Sequence, residues 1–439
     1  MWMLLVIVLL TACSDHSGES SDETGDCFLN IYVYAPERPM LTRADVGDIA
    51  SKSVEEHMVH TLQIWVFKQS NGDLVGYLET KPTFLNETNG QEMFQMKVKK
   101  EFADHPENVD VYVVANAYVV PDEFDKFINY EKNYDLIYID KNNEEVTLTL
   151  GESTTRAQLD SAKIGVSSFG VGNGTFIEKS VVSPVSKVSS AGLPMSGVLK
   201  NQPISGSYPT LRVGTQDAMA TLQLTRAVSK LRFVLCQKKE KSTSKKKLVS
   251  IDKIELNGSV IPTASYLMPV TKPSYKSYVS TAINYGGIAK EAIPNVKDPM
   301  KYAYETQSAQ EYENMIDGAI AGTYKAHYAD SNIEGDVDDE CLKEFGLTYL
   351  RESDKKLTGT ITYSVKERED VETNWENITE EIEKTATFSM ADSGDFLRNH
   401  SWIVYVFYMD ATIYTLTVTN IGMKSWASGG YEEKSVYNW

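Results

Sequence analysis

The sequence predicts an all-β protein built from two antiparallel β-sandwich domains in tandem, and three observations lead to this prediction. Strand-forming residues are frequent, with 25 Tyr among 439 residues beside many Val, Thr and Ile. Short alternations of apolar and polar residues recur with turn residues between them, whereas no helical period persists. The length exceeds that of one ordinary core, so we expect two units of roughly 200 residues each.

The chain starts with the features of an exported lipoprotein. Residues 2–10 form an apolar run, which is too short for a membrane-spanning helix of about 20 residues and suits a signal peptide. The run ends in Leu10-Thr11-Ala12-Cys13, which resembles a lipobox. We therefore assign residues 1–13 to a lipoprotein signal peptide ending at the lipidated Cys13; an ordinary signal peptide with an incidental cysteine is the alternative. Residues 14–27 are acidic, lack Lys and Arg, and are expected to form a disordered tether.

The first domain is assigned to residues 28–210 and opens with a strand. Residues 28–35 alternate with the two-residue period of a strand, and Pro36 and Pro39 follow, which the interior of a sheet excludes. Asn71-Gly72 predicts a hairpin between strands at 62–67 and 74–78. Further strands are predicted at 93–98, 109–114 and 144–150, a helix or irregular excursion at 121–142, and a flexible Ser- and Gly-rich loop at 161–206.

The second domain is assigned to residues 211–439, with a polar junction expected at 206–217. A long strand is predicted at 220–235, and another at 250–256 ends at Asn257-Gly258. Residues 357–366 alternate most cleanly, which is typical of a half-buried strand. The last three strands are predicted at 385–390, 402–408 and 412–421, with a solvated lysine-rich loop at 238–247 and a long acidic connection at 367–384.

Charge and motifs argue against nucleic-acid binding and against catalysis. With a net charge of −18, the chain lacks the basic surface that phosphate neutralisation requires. It has neither a Gly-x-Ser-x-Gly motif nor a phosphate-binding Gly-Lys-Ser/Thr loop, and the glycines at 170–174 are misplaced for a dinucleotide fingerprint. We therefore expect a protein that is not an enzyme and that uses no cofactor.

Two stretches approach metal-site patterns without completing them. His57-Met58-Val59-His60 lacks the glutamate that a metalloprotease helix places after its first histidine. Residues 330–341 approach a calcium loop, but Cys341 occupies the position of its bidentate carboxylate. We expect no metal site. Cys236 is expected to be a buried free thiol, and a disulfide between Cys27 and Cys341 stays open as an alternative.

Several short patterns, in their order and together with the lipobox, resemble the fimbrillin family, the type V pilins of Bacteroidetes. They are Leu193-Pro194-Met195-Ser196-Gly197, the stretch 224–231, Ile254-Glu255-Leu256-Asn257, Arg398-Asn399-His400, and Trp426 with Gly429-Gly430 before the terminal Tyr437-Asn438-Trp439. The resemblance implies two transthyretin-like β-sandwich domains, in agreement with the strand pattern. It also implies an outer-membrane lipoprotein precursor that contacts membrane lipid through Cys13 before cleavage.

The resemblance further implies a route of processing and assembly. An arginine-specific protease would cut between Arg43 and Ala44, remove the lipidated segment and open a groove, which a strand of another fimbrial subunit would fill. In such pairing, main-chain hydrogen bonds and alternate apolar side chains determine the fit. Arg38 and Arg156 are competing cleavage sites. The candidate groove-filling residues are Ile413, Leu416, Val418, Ile421, Val436 and Trp439; the alternative for residues 412–421 is that they complete the sheet of their own domain.

The leading prediction is therefore a structural subunit of a cell-surface fimbria, as stalk, tip or anchor. Its expected partners are other fimbrial subunits and an arginine-specific processing protease, with no nucleic acid. The alternative is a surface lipoprotein that binds glycans or adheres through exposed aromatic side chains and does not polymerise. A lipid-anchored hydrolase is the third hypothesis.

Overall fold

The computed structural model of the protein describes residues 26–35, 58–83, 85, 90–118, 132–165, 192–238, 245–285, 291–292, 295–296, 343–369, 378–390, 396–409 and 411–420. Over these ranges the chain forms mostly antiparallel β-sheets and two short α-helices, which confirms the predicted all-β class. Neither helix is long and apolar enough to cross a membrane.

The strands are β1 (Cys27–Tyr34), β2 (Leu62–Lys68), β3 (Leu74–Thr80), β4 (Gln91–Val98), β5 (Val109–Ala115), β6 (Leu136–Ile139), β7 (Glu145–Leu148), β8 (Lys163–Ile164), β9 (Met195–Gln202), β10 (Ile204–Ser207), β11 (Thr210–Val213), β12 (Thr221–Gln223), β13 (Thr225–Arg226), β14 (Val228–Lys238), β15 (Lys245–Leu256), β16 (Ser265–Tyr266), β17 (Ile283–Asn284), β18 (Glu291–Ala292), β19 (Asn295–Val296), β20 (Lys343–Arg351), β21 (Leu357–Glu369), β22 (Ile382–Met390), β23 (Ser401–Met409) and β24 (Thr412–Asn420). The helices are α1 (Lys100–Asp104) and α2 (Arg156–Ser161), with a 3₁₀ turn at Gly258–Val260.

Three sheets contribute to a first group of buried apolar side chains, which we call the first core. One sheet has the order β10-β11-β1-β12, with β4 also paired to β1. A second has the order β13-β9-β5-β2-β3, and a smaller third has the order β16-β8-β6-β7. The first core extends from Cys27 to Val228 and also takes in Leu267, Met268 and Tyr349 from later in the chain.

Two further sheets enclose a second group of buried apolar side chains, the second core. One has the order β19-β14-β23-β24, with β20 also paired to β14, and the other has the order β17-β15-β21-β22, with β18 also paired to β15. The second core extends from Leu231 to Ile413. In β21, Leu357, Ile361 and Tyr363 are buried on one face, as the alternation of that stretch predicts.

Most predicted strands are confirmed, and the errors have identifiable physical reasons. The confirmed strands are those at 28–35, 62–67, 74–78, 93–98, 109–114, 144–150, 357–366, 385–390, 402–408 and 412–421, within three residues at their ends where these are described, and the one at 250–256, which begins five residues earlier than predicted. The prediction of a flexible loop over 161–206 is wrong at 195–206, where β9 and β10 form. Gly197 there allows close packing, because an added Cβ would collide with the Leu222 side chain.

The predicted single strand at 220–235 is three strands, because its parts pair with different neighbours. β12 pairs with β1, β13 with β9, and β14 with β20 and β23. The junction expected at 206–217 is instead the β10–β11 hairpin. The assigned boundary at 210/211 therefore falls within a sheet of the first core, and the change of core lies between Val228 and Leu231.

β15 and β21 extend into stretches predicted as loops. In their ladder Lys247 lies opposite Glu367, which favours pairing, whereas Lys246 lies opposite Arg368. The excursion predicted at 121–142 contains β6, while residues 119–131 lie outside the described part of the chain.

Candidate functional site

β1, the first strand among the described residues, lies inside a sheet rather than at its edge. Along one edge it pairs antiparallel with β4 over its whole length, from Cys27 opposite Val98 to Tyr34 opposite Gln91. Along the other edge it pairs in parallel with β11 at residues 28–30 and with β12 at residues 32–34. Removing β1 would therefore leave a groove between β4 on one side and β11 and β12 on the other.

One face of β1 is entirely buried in the first core. Leu29, Ile31 and Val33 are 0% exposed, Cys27 is 1% exposed and Ala35 is 4% exposed. These alternate positions are small at both ends and large in the middle, so the floor of the groove accepts apolar side chains spaced two residues apart. The prediction of a strand at 28–35 with an apolar face is thus confirmed, whereas its provisional character stays a prediction.

Hydrogen bonds beyond the ladder hold both ends of β1. At its start, Phe28 N donates to Pro209 O over 2.8 Å, and just past its end Ala35 N donates to Gly90 O over 2.7 Å. Gln223 Nε2 donates to Ala35 O over 2.6 Å. The strand is consequently fixed up to the residue before Pro36, where the described range stops.

The chain returns to the described fold at Met58, beside a buried asparagine. Asn116 has a φ of +60° and is fully buried, and its Nδ2 donates to Met58 O over 2.9 Å and to Leu193 O over 2.8 Å. Its Oδ1 accepts from His60 N over 2.7 Å. The first core therefore anchors the chain after residue 57 through contacts that do not involve β1. Sequence patterns gave no sign of this asparagine, because its role depends on contacts distant in sequence.

Arg43 and Ala44, the predicted cleavage pair, lie outside the described residues, as do Arg38 and the lipidation residue Cys13. The competing Arg156 is described. It opens α2, and its Nη1 lies 3.2 Å from Asp110 Oδ2 and donates to Lys68 O over 3.2 Å and to Gln69 O over 3.1 Å. A capping box between Thr155 and Gln158 also fixes this helix end. Arg156 is thus held in a helix by its own side chain.

The other arginines with described side chains are also held in the fold. Arg226 and Arg351 are 0% exposed, and Arg368 and Arg398 are each 8% exposed. Arg212 Nε donates to Ser205 Oγ over 3.1 Å. Because proteases cut preferentially at exposed, irregular segments, these arginines are poor substrates in the folded protein.

The C-terminal candidate strand pairs with its own domain. β24 forms an antiparallel ladder with β23, in which Ile413 lies opposite Tyr408 and Val418 opposite Ile403. Residues 412–421 were predicted to donate a strand or to complete their own sheet, and the structure has them in their own sheet up to Asn420. Ile421, Val436 and Trp439 lie outside the described residues.

The side chain of Ile413 is buried in the second core, where it lies opposite the buried Tyr408 of β23. The side chains of residues 414–420, which include the candidate groove-filling Leu416 and Val418, lie outside the described part of the chain.

Cys27 is a buried free cysteine. Burial raises the pKa of its thiol, and Asp104 adds to the rise. The side chain of Cys236 and all of Cys341 lie outside the described part of the chain. Within the described ranges, no group of three or more His, Cys, Asp and Glu residues could hold a metal ion. Burial lowers the pKa of His60, and His57 and residues 330–341 lie outside those ranges.

No protein-family model and no curated protein matches this chain. Solved structures do resemble it. The tip fimbrial protein Mfa3 of Porphyromonas gingivalis is 12% identical over 90% of this chain and 99% of its own, with a TM-score of 0.39. A fimbrial assembly protein of Parabacteroides distasonis is 12% identical over 90% and 95%, with a TM-score of 0.41. The fimbrial anchor protein Mfa2 of P. gingivalis is 8% identical over 90% and 98%, with a TM-score of 0.33. These three solved structures are fimbrial proteins by their descriptions.

Proposed function

We propose that this chain is a structural subunit of a cell-surface fimbria, without catalytic activity, in which β1 is a provisional strand. In this proposal Cys13 carries the lipid of an outer-membrane precursor and the two cores belong to two transthyretin-like domains. A protease cuts after Arg43, β1 leaves with the anchor, and a strand from another subunit takes its place.

The observation that carries the proposal is the position of β1. It is the first strand that the structure describes, both of its edges are paired, and one face is fully buried. A single cut between residues 35 and 58 would leave β1 attached to the first core by noncovalent contacts alone. The chain beyond that cut stays attached through the Asn116 contacts to Met58 and His60.

The stability that burial of β1 contributes explains why its removal and its replacement would be coupled. Burial of a large aliphatic side chain stabilises a fold by about 1.5–3 kcal/mol, so Leu29, Ile31 and Val33 together contribute about 5–9 kcal/mol. A whole domain is stable by only about 5–15 kcal/mol. An empty groove is therefore too costly to persist, and β1 should stay bound after the cut until another strand displaces it.

The arginine distribution supports a cut in the linker rather than in the folded body. Arg38 and Arg43 are the arginines between β1 and Met58, whereas Arg156 and the five other arginines with described side chains are hydrogen-bonded or buried. An arginine-specific protease would thus find its site beside the strand to be released.

The donor is proposed to be the C-terminal region from residue 412 onward. In the sequence of β24, Tyr414, Leu416 and Val418 stand at alternate positions and repeat the two-residue spacing of Leu29, Ile31 and Val33. A strand with this spacing could fill the floor of the groove on a neighbouring subunit.

The test is limited proteolysis of the mature chain. With an arginine-specific protease we expect one cut, after Arg43, followed by SDS-resistant ladders. Arg43→Ala should remain folded and monomeric, and Arg156→Ala should give the same cut and the same ladders as the unchanged chain. A cut product that stays monomeric and stable, or a resistant Arg43, counts against the proposal.

One observation favours the adhesive alternative. The outward face of β1 carries the half-buried Phe28, Tyr32 and Tyr34, and Met93 beside Tyr32 is 48% exposed. Exposed aromatic rings on a sheet can stack on sugar rings. Binding of the uncut protein to a glycan array, lost in Tyr32→Ala, would support an adhesive subunit that retains β1.

A further inference from the structure

A buried ion pair lies where the two cores meet. Arg398 is in the turn before β23 and Glu352 directly follows β20. Their side chains are 8% and 1% exposed, and Arg398 Nη2 lies 2.6 Å from Glu352 Oε1. Because removing either partner would leave a buried charge without compensation, each side chain fixes the other.

The same guanidinium reaches a segment that belongs to the first core. Arg398 Nη1 donates to Leu267 O over 2.8 Å, and Nη2 also donates to Tyr266 O. Tyr266 lies in β16, which pairs antiparallel with β8, and Leu267 N donates to Ala162 O over 2.8 Å. Leu267 itself is fully buried in the first core. Arg398 therefore bonds to the first core through carbonyls and to a second-core element through a carboxylate.

Further hydrogen-bond donors satisfy the acceptors of this cluster. The Tyr275 hydroxyl donates to Glu352 Oε1 over 2.8 Å, and Arg398 N donates to Glu352 Oε2 over 3.2 Å. On the first-core side, Ser196 Oγ donates to Leu267 O over 2.5 Å. Both carboxylate oxygens and the Leu267 carbonyl thus have partners, which makes the cluster a specific arrangement rather than a solvated contact.

We infer that Arg398, paired with Glu352, couples the two cores so that they open as one cooperative unit. The apolar contacts across the junction, made by Leu267, Met268 and Tyr349, favour contact but tolerate small displacements. The planar Arg398 guanidinium donates hydrogen bonds to three acceptors in a fixed geometry, so it does not tolerate such displacements. None of these residues belongs to a strand that pairs with β1. The coupling is therefore independent of whether β1 is released.

Hydrogen exchange followed by mass spectrometry tests the coupling. In the unchanged protein, the slowest amides of β5 in the first core and of β21 in the second should exchange at the same rate once each is divided by its intrinsic rate, because both require global opening. Arg398→Met keeps an apolar stem but removes the fork. We expect it to separate the two rates by about tenfold or more, because each core then opens by itself.

Matched variants make the outcome decisive. Lys253→Met breaks the more exposed Lys253–Glu255 pair, whose atoms are 2.5 Å apart, and should leave the two rates equal. Arg398→Lys retains the charge but cannot serve three acceptors, so it should separate the rates as well and replaces the methionine variant if that variant does not fold. Equal rates in both Arg398 variants, or separation by Lys253→Met, would overturn the inference.

Discussion

β1 and β24 are the first and the last strands that the structure describes, and their sheets hold them in opposite ways. β1 has paired neighbours along both edges, and its buried face lies in the first core. β24 is paired, among the described residues, with β23 alone. The side chain of Ile413, near the start of β24, is buried in the second core.

This difference shows that a strand's hydrophobicity does not by itself say where the strand contributes stability. The aliphatic side chains of β1 are buried in its own core, so the loss of β1 leaves an exposed groove unless another strand replaces it. β24 is paired along one edge among the described strands, so we expect its transfer to a groove on another subunit to leave a smaller gap than the loss of β1 does. The proposed exchange is favourable only if this asymmetry is real, and the predictions below address it in order of expected effect.

Ile31→Ala should have the largest effect on the uncut monomer. Ile31 is 0% exposed at the centre of the β1 face, and truncating a buried isoleucine costs about 2–5 kcal/mol. The matched change Leu416→Ala should cost well under half as much in the monomer but should abolish ladder formation after cutting. Urea denaturation gives both stabilities. Equal losses would show that position 416 is as important to its own core as position 31, and the asymmetry would be wrong.

The rate at which the Cys27 thiol reacts with a thiol reagent should report the departure of β1 directly. This thiol is 1% exposed, and burial raises its pKa, so in the uncut protein it should react with a thiol reagent at least about a hundredfold more slowly than a free cysteine. Because the folded pKa is raised, this protection should persist as pH rises through the ordinary thiol range near about 8.5. A Cys236→Ser, Cys341→Ser background isolates the signal.

After cutting and displacement of β1, the Cys27 thiol should react at the ordinary rate, with the ordinary pH profile. A synthetic peptide of residues 412–439 serves as the displacing strand, and the same peptide with Leu416→Asp is its control. A cut protein whose Cys27 stays protected in the presence of the active peptide would mean that β1 does not leave.

The alternation of β1 and the prolines after it were sufficient to predict the strand and its end. What no local pattern could show is that β1 pairs with β11 and β12, which lie some 180 residues away in the chain and run parallel to it. The same limit applies to β24, whose alternation is evident although the sequence does not say which face meets the core. Strands β9 and β10 were missed because Gly197 and Gly206 look like loop residues but allow the close approach of neighbouring atoms.

Asp110→Ala should add a second site at which the arginine-specific protease cuts. Asp110 is 5% exposed and accepts from Arg156 Nη1 at 3.2 Å and from Asn201 N at 2.8 Å. Its loss removes two bonds to a charged group, a cost of about 1–3 kcal/mol, and loosens the start of α2. We expect a second cut after Arg156, detected by intact-mass spectrometry, in addition to the cut after Arg43. If Arg156 stays uncut, the helix rather than the ion pair protects it, and Thr155→Ala should then expose it.

Asn30→Ala should have the smallest effect and gives the sharpest control for β1. Asn30 adjoins Ile31 in sequence but lies on the outward face, where its Oδ1 accepts from Gln95 Nε2 over 3.2 Å in an exposed position. Exposed substitutions of this kind change stability by about 0.5 kcal/mol or less. The difference between Asn30→Ala and Ile31→Ala therefore measures the buried face alone, with main-chain pairing to β4, β11 and β12 unchanged in both. If the two variants lose similar stability, β1 is held mainly by its ladders, any strand could replace it, and the apolar spacing shared with β24 would have no selective role.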